Sequence, residues 1–249
     1  MTTKTLALVT GGVGGIGSAI CAELVQRGYQ VLAGYHPSEE ARAREKQKEW
    51  QAAGLDIGIV VGDVSSFAAC VEMAKTIKEK FGTVQVLVNC AGITRDKTLK
   101  KMDEADWAAV LHTNLDSVFN VTKQFIDGMT EAGFGRIVNI SSVNGKKGQF
   151  GQANYSAAKA GMHGFTMAVA QETARKGVTV NCVSPGYTNT AMMKAIPADV
   201  LKGIVDQVPM QRLAEPEEIA YVVGFLADRR AGYITGANIS ANGGLFISF

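Results

Sequence analysis

Two hydrophobic periods take turns along the chain almost from end to end. Short, mostly apolar runs at residues 5–9, 30–33, 57–61, 84–88, 136–140 and 178–183 read as strands buried on both sides. Longer stretches with helical spacing lie between them. Residues 16–27 put Ile20, Leu24 and Val25 on one face, and residues 39–53 form a charged, solvated helix. Residues 67–81 follow Ser65 and Ser66, either of which caps a helix. Residues 103–129 read as a helix interrupted near Asn114, 155–175 as a long helix and 216–227 as another. Residues 187–209 lack strand character, and 238–240 would form a last short strand.

Such alternation predicts an α/β fold: one domain over residues 1–249, a Rossmann-type doubly wound parallel sheet with helices on both faces. In these sheets ligands bind beyond the carboxyl ends of the strands. Candidate chemistry is therefore sought just after each strand.

Composition narrows the classes. The 249 residues include 25 basic and 23 acidic side chains, a net charge of +2 with no block of like sign, so no nucleic-acid footprint is visible. No apolar run approaches the ~20 residues of a membrane span. The run after Lys4 is too short for a signal-peptide core, so a cytoplasmic location is expected. Cys21, Cys70, Cys90 and Cys182 form no CxxC pair and have no His at ligand spacing, which argues against a metal site and a disulfide framework. With 28 glycines and only 5 prolines, the chain calls for tight turns within a regular fold.

The first strand runs into Thr10-Gly11-Gly12-Val13-Gly14-Gly15-Ile16-Gly17, a TGxxxGxG pattern on a strand-to-helix turn. Free N–H groups at a helix start favour a phosphate, and a missing Cβ lets it approach. The GK[ST] ending of a nucleoside-triphosphate loop is absent. Further on, Tyr155 and Lys159 stand four residues apart, on one face of a helix. A nearby ammonium would lower the phenol pKa from about 10 toward neutrality, fitting Tyr155 as a general acid. Ser142 lies just past the fifth strand. Asn114 sits inside a helical stretch, where an amide can break the hydrogen-bond ladder and hold a water.

TGxxxGxG, Asn89-Cys90-Ala91-Gly92, Asn114, Ser142, YxxxK and Pro185-Gly186 occur in this order. In combination they resemble the short-chain dehydrogenase/reductase family over essentially the whole chain. The resemblance implies a tetrad. Tyr155 protonates a carbonyl oxygen as hydride arrives, Lys159 holds the cofactor ribose, Ser142 polarises the carbonyl, and Asn114 orders a water that resupplies the proton. It implies a nicotinamide cofactor held by Gly11, Gly14, Gly15, Ile16, Gly17, Tyr35, Asp63, Val64, Asn89, Gly92, Tyr155, Lys159, Pro185, Gly186 and Thr188. It also implies a homotetramer. Where the family pattern has a second Asn, this chain has Cys90, read as a small buried side chain.

Either NADH or NADPH fits the family. The second strand runs into Gly34-Tyr35-His36-Pro37-Ser38-Glu39-Glu40, with neither an acid for the ribose hydroxyls nor a base for a 2′-phosphate. Glu39 and Glu40 would oppose a phosphate despite Arg42 and Arg44, which favours NADH. Asp63 would reach the adenine edge.

The stretches Gly92-Ile93-Thr94-Arg95-Asp96, Asn120-Val121-Thr122-Lys123-Gln124, residues 136–152 and His163-Gly164-Phe165-Thr166 resemble acetoacetyl-CoA reductases of the polyhydroxyalkanoate pathway. Those reductases make (R)-3-hydroxybutyryl-CoA. On this reading the substrate is an acyl-CoA, met by Asp96, Ser142, Gln149, Phe150, Gln152, Tyr155 and Tyr187, with residues 187–209 as a mobile lid. Lys146 and Lys147 could meet the CoA phosphates. Two alternatives stay open: a 3-oxoacyl-[acyl-carrier-protein] reductase, and a non-catalytic dinucleotide sensor. An acidic carrier protein needs a basic docking surface, and Thr130-Glu131-Ala132-Gly133 before the fifth strand offers none.

Overall fold

The computed structural model describes residues 4–194 and 196–247, without the side chains of Met192 and Lys194. Seven strands form one parallel sheet: β1 (Leu6–Val9), β2 (Gln30–Tyr35), β3 (Ile57–Val61), β4 (Val84–Asn89), β5 (Gly135–Ile140), β6 (Val178–Pro185) and β7 (Asn238–Ala241). Their order is β3-β2-β1-β4-β5-β6-β7. The helices are α1 (Gly15–Gln26), α2 (Glu40–Ala52), α3 (Phe67–Phe81), α4 (Glu104–Leu111), α5 (Ser117–Glu131), α6 (Asn144–Lys147), α7 (Ala153–Thr173), α8 (Ala191–Lys194), α9 (Ala198–Val205) and α10 (Pro216–Ala227). Among the described residues, no helix is long and apolar enough to cross a membrane.

The apolar runs form strands because both sheet faces are covered. Along β1, Ala7 and Val9 point to one face and Leu8 to the other. The first face packs against Ile20 and Leu24 of α1, Trp50 of α2 and Val223 of α10. The second packs against Met73 and Ile77 of α3 and Val121 and Phe125 of α5. Ser66 caps α3, its Oγ accepting the Ala69 N–H at 3.3 Å.

Four strands run further at their carboxyl ends than their sequence pattern implies. β2 continues to Tyr35, β4 to Asn89, β6 to Pro185 and β7 to Ala241. Each extension adds a residue whose main chain pairs with a neighbouring strand: Tyr35 with Val61, Asn89 with Asn139 and Pro185 with Ala241. The expected interruption near Asn114 is a π-helical turn, His112–Asp116, between α4 and α5. Residues 187–209 hold the short helices α8 and α9. Successive strands run outward in opposite directions from the boundary between β1 and β4, so the crevice at their carboxyl ends opens there.

Candidate active site

The glycine loop turns the chain from β1 into α1. Gly11 adopts φ +62°, and a Cβ there would come within 2.8 Å of Ala91 Cα in the loop after β4. A Cβ on Gly15 would come within 2.8 Å of Thr190 Cγ2, so the segment after β6 lies directly against the start of α1. Gly14 at the N-cap makes no side-chain hydrogen bond, and the first turn holds no acidic residue. Among the described residues no side chain caps the leading amides of Gly15, Ile16 and Gly17, which stand at a helix N-terminus just beyond the end of β1. Thr10, which the glycine pattern alone did not single out for chemistry, ties the two crevice walls together. Its Oγ1 accepts the N–H groups of Cys90 at 3.0 Å and Ala91 at 3.2 Å.

The Asn89 amide turns inward, donating to Asn139 Oδ1 at 2.8 Å and Thr122 Oγ1 at 3.2 Å. The Tyr35 ring packs in the core, and its carbonyl accepts the Gly62 N–H at 2.9 Å. Asp63 Oδ1 accepts from Ser65 N at 2.9 Å and Ser65 Oγ at 2.6 Å, and its other oxygen lies 3.8 Å from His36 Nε2. The Val64 carbonyl accepts the Asn120 amide at 3.1 Å. Gly186 and Thr188 line the far wall: Gly186 N donates to Ala241 O at 2.9 Å, and Thr188 pairs with Ala214. Pro185 O accepts the Val143 N–H at 2.9 Å, which couples the β6 end to the loop after Ser142.

The tetrad residues come from three elements. Tyr155 and Lys159 lie on α7, Ser142 just after β5, and Asn114 in the π turn. Asn114 is fully buried and holds Ile93 through both amide atoms. Gly92 faces this amide: a Cβ there would lie 3.3 Å from Asn114 Oδ1 and 3.7 Å from Lys159 Nζ. Ser142 Oγ accepts the Asn144 N–H at 3.1 Å, which leaves its own hydrogen for an acceptor in the crevice. Lys159 Nζ donates to Ile140 O at 2.7 Å and stands 5.7 Å from the Tyr155 ring centroid.

The electrostatics differ from the sequence expectation in one respect. Burial raises the Tyr155 phenol above its ordinary value, against a downward pull from its hydrogen bond with Ser142. Lys159 itself is desolvated, which lowers its ammonium to about 8. Its Nζ is turned toward the Ile140 carbonyl, so burial outweighs the expected lowering of the phenol. Burial also raises the Cys90 thiol to about 11.

Beyond Ser142, Asn144 Nδ2 donates to Gln152 Oε1 at 2.9 Å, and Gln152 Nε2 donates to Asp96 Oδ2 at 2.8 Å. This chain braces the loop wall from inside, a role for Asn144 that its place two residues after Ser142 could have signalled. Gln149 Oε1 accepts from Lys147 Nζ at 2.6 Å. Phe150 is 87% exposed, while Tyr187 is half-buried. Lys146 reaches Ser240 Oγ on β7 at 2.9 Å. Tyr187 borders a cavity of about 300 Å³ shared with Met210, Arg212 and Asn242. In the expected lid Met193 and Ile196 are half-buried, and the Met192 side chain lies outside the described residues.

A parallel sheet with a glycine turn after β1, and with Ser142, Tyr155 and Lys159 at its carboxyl edge, defines a class, and sequence comparison agrees with it. The family model for short chain dehydrogenases matches residues 5–201, and the chain belongs to that family, whose members use NAD(P)H. Among curated relatives, an acetoacetyl-CoA reductase of Allochromatium vinosum is 60% identical over 97% of this chain and 98% of its own length. An acetoacetyl-CoA reductase of Cupriavidus necator is 55% identical over 98% of both chains. A 3-oxoacyl-[acyl-carrier-protein] reductase of Pseudomonas aeruginosa is 43% identical over 98% of both.

Proposed function

We propose that this chain is an acetoacetyl-CoA reductase, converting the 3-oxo group of acetoacetyl-CoA to (R)-3-hydroxybutyryl-CoA at the expense of NADH or NADPH. The observation that carries the reading is the convergence of Ser142, Tyr155 and Lys159 on the crevice, in a chain 60% identical to an acetoacetyl-CoA reductase. We read residues 1–249 as one domain, with 187–209 as the lid over its substrate.

The residues present fit a dinucleotide. Gly11 and Gly15 make a cradle that a Cβ would fill, and the uncapped start of α1 suits a pyrophosphate. Gly11, Gly14, Gly15, Ile16 and Gly17 would hold that group. Asp63 and Val64 would border the adenine, and Asn89 and Gly92 would offer main chain. Pro185, Gly186 and Thr188 would close the nicotinamide end. When bound, the reduced nicotinamide supplies the hydride.

The chain's own groups handle the oxygen and the proton. Ser142, with its hydroxyl hydrogen free of Asn144, donates to the ketone oxygen. Tyr155, kept neutral by burial, gives its proton to the same oxygen as negative charge develops there. Lys159 stabilises the resulting phenolate and holds the ribose, and the π turn at Asn114 provides the site from which the proton is replaced. The Gln149 amide nitrogen donates to the thioester oxygen, Phe150 and Tyr187 flank the acyl chain, and Asp96 acts through Gln152.

NADH is favoured over NADPH because both arginines near the β2 end are occupied. Arg42 pairs with Glu39 at 3.1 Å and Arg44 with Glu40 at 2.7 Å. The family resemblance supports reading the chain as a homotetramer in the cytoplasm.

One observation favours the carrier-protein reading. Residues 130–133 hold no basic side chain, yet Gly177 O accepts from Gly135 N at 3.4 Å, which brings exposed Arg175 and Lys176 beside that segment. Nicotinamide oxidation with acetoacetyl-CoA and acetoacetyl-carrier protein side by side, using NADH and NADPH, separates the two. The coenzyme A thioester should give the higher kcat/KM, and a higher value for the carrier-protein thioester would overturn the assignment. Tyr155→Phe should keep cofactor binding and retain less than about a hundredth of the kcat.

A further inference from the structure

None of the roles above uses His163, which lies on α7 one turn beyond Lys159. Its Nε2 sits 2.7 Å from Ser141 Oγ and 3.5 Å from Ser184 Oγ. Ser141 Oγ in turn lies 2.9 Å from the main-chain carbonyl of Lys159. A hydroxyl has one hydrogen and a carbonyl can only accept. Ser141 therefore gives its hydrogen to Lys159 O, and the short contact with His163 must take its hydrogen from the imidazole. Ser184 likewise donates to Asn238 Oδ1 at 2.7 Å and turns only a lone pair toward the ring. Both partners place the imidazole proton on Nε2. Burial and the Lys146 and Lys159 ammonium groups push the His163 pKa below its ordinary 6.5, so the ring is neutral at pH 7 and Nδ1 is bare.

This bond sits at the joint of the site. Ser141 is 3% exposed and directly precedes Ser142. Lys159 is gripped from that same stretch at both ends, by Ile140 O at its ammonium and by Ser141 Oγ at its carbonyl. We propose that His163 is a positioning residue: its Nε2–H fixes Ser141, and through Ser141 it sets the strand end carrying Ser142 against the helix turn carrying Tyr155 and Lys159. The proposal rests on the catalytic reading of those three residues. With the donor gone, Ser141 Oγ keeps one fixed partner in place of two, and the junction of β5 with α7 loosens where the reacting groups must stay aligned.

Two variants and one spectrum test this on the full chain. His163→Leu removes the donor and keeps a comparable volume. His163→Gln keeps an N–H close to the Nε2 position. With whichever 3-oxo thioester the wild type reduces, H163L should lower kcat by about 10-fold, within the range that misplacement of reacting groups causes. Its KM should stay within about twofold, because no substrate contact is touched, and H163Q should recover most of the kcat. Equal kcat in the two variants, or a loss carried by KM alone, would overturn the proposal. Long-range proton–nitrogen spectra of histidine-labelled protein at pH 7 give a readout independent of turnover. The chain has 3 histidines, and H163Q assigns the signal by its disappearance. A protonated Nδ1 in His163 would refute the clamp whatever the substrate proves to be. Failure of the catalytic reading would show instead as activity surviving in Tyr155→Phe.

Discussion

Asn114 pairs edge to edge with the main chain of Ile93, its Oδ1 accepting the N–H at 2.8 Å and its Nδ2 donating to the carbonyl at 2.9 Å. The side chain thus does for the loop after β4 what a neighbouring strand does for β4 itself. It is placed to do so by the π turn, which re-aims one residue in an otherwise continuous helical run. Asn114→Leu leaves both Ile93 groups without this partner and should cost about 1–3 kcal/mol of stability. Urea unfolding would show a lower midpoint at unchanged slope. Turnover should fall as well, since Gly92 lies against the same amide. An unchanged midpoint would mean that water replaces the amide without cost.

Lys159 makes the pH dependence specific. Its ammonium, lowered to about 8, is lost in the free enzyme as pH rises through that value, whereas the raised Tyr155 phenol stays protonated. For ketone reduction kcat/KM should hold through neutral pH and decline above about pH 8. A profile flat to pH 10 would contradict this role for the lysine.

Stability follows the same group in the opposite sense. Between about 8 and the ordinary 10.5 the unfolded lysine binds a proton that the folded one does not, so stability contributed at this site rises with pH across that window. The penalty for burying the ammonium is fully present below pH 8 and gone above 10.5. Lys159→Met should remove this rise, which subtracting the urea stabilities of variant and wild type at matched pH values would isolate.

Cofactor choice should respond to the two ion pairs on α2. Glu39→Gln with Glu40→Gln frees Arg42 and Arg44 and removes two negative charges beside the β2 end. The NADPH-to-NADH ratio of kcat/KM should rise, by roughly fivefold for each ~1 kcal/mol of repulsion relieved at the exposed surface. If the wild type already strongly prefers NADPH, the assignment to NADH fails and one of these arginines becomes the phosphate ligand.

The substrate wall separates Gln149 from Gln152. Gln149→Ala should lower kcat/KM for acetoacetyl-CoA about 2- to 13-fold, the equivalent of one neutral hydrogen bond, at constant cofactor Kd. Gln152→Ala breaks the bonds to Asn144 and Asp96 together, so its loss should be larger and should include kcat. Equal, small effects would mean that the Asn144–Gln152–Asp96 chain does not brace the wall.

The order of residues alone specifies the parallel sheet, because strands buried on both faces must be apolar throughout, and that is visible without coordinates in runs such as residues 84–88. It also determined the glycine turn and the order of Asn114, Ser142, Tyr155 and Lys159, since these depend on local spacing after strands and along one helix. Strand ends were less legible. Tyr35, Asn89 and Pro185 belong to strands because of partners that lie 26, 50 and 56 residues away in the chain, at Val61, Asn139 and Ala241. The packed fold sets where the polar side chains point. The Asn89 amide faces the interior, Gln152 braces Asp96, and Lys159 turns to Ile140 rather than to the phenol. It also decided the sign of the Tyr155 shift, because desolvation depends on everything packed around a group, whereas spacing along a helix reports only its nearest neighbours.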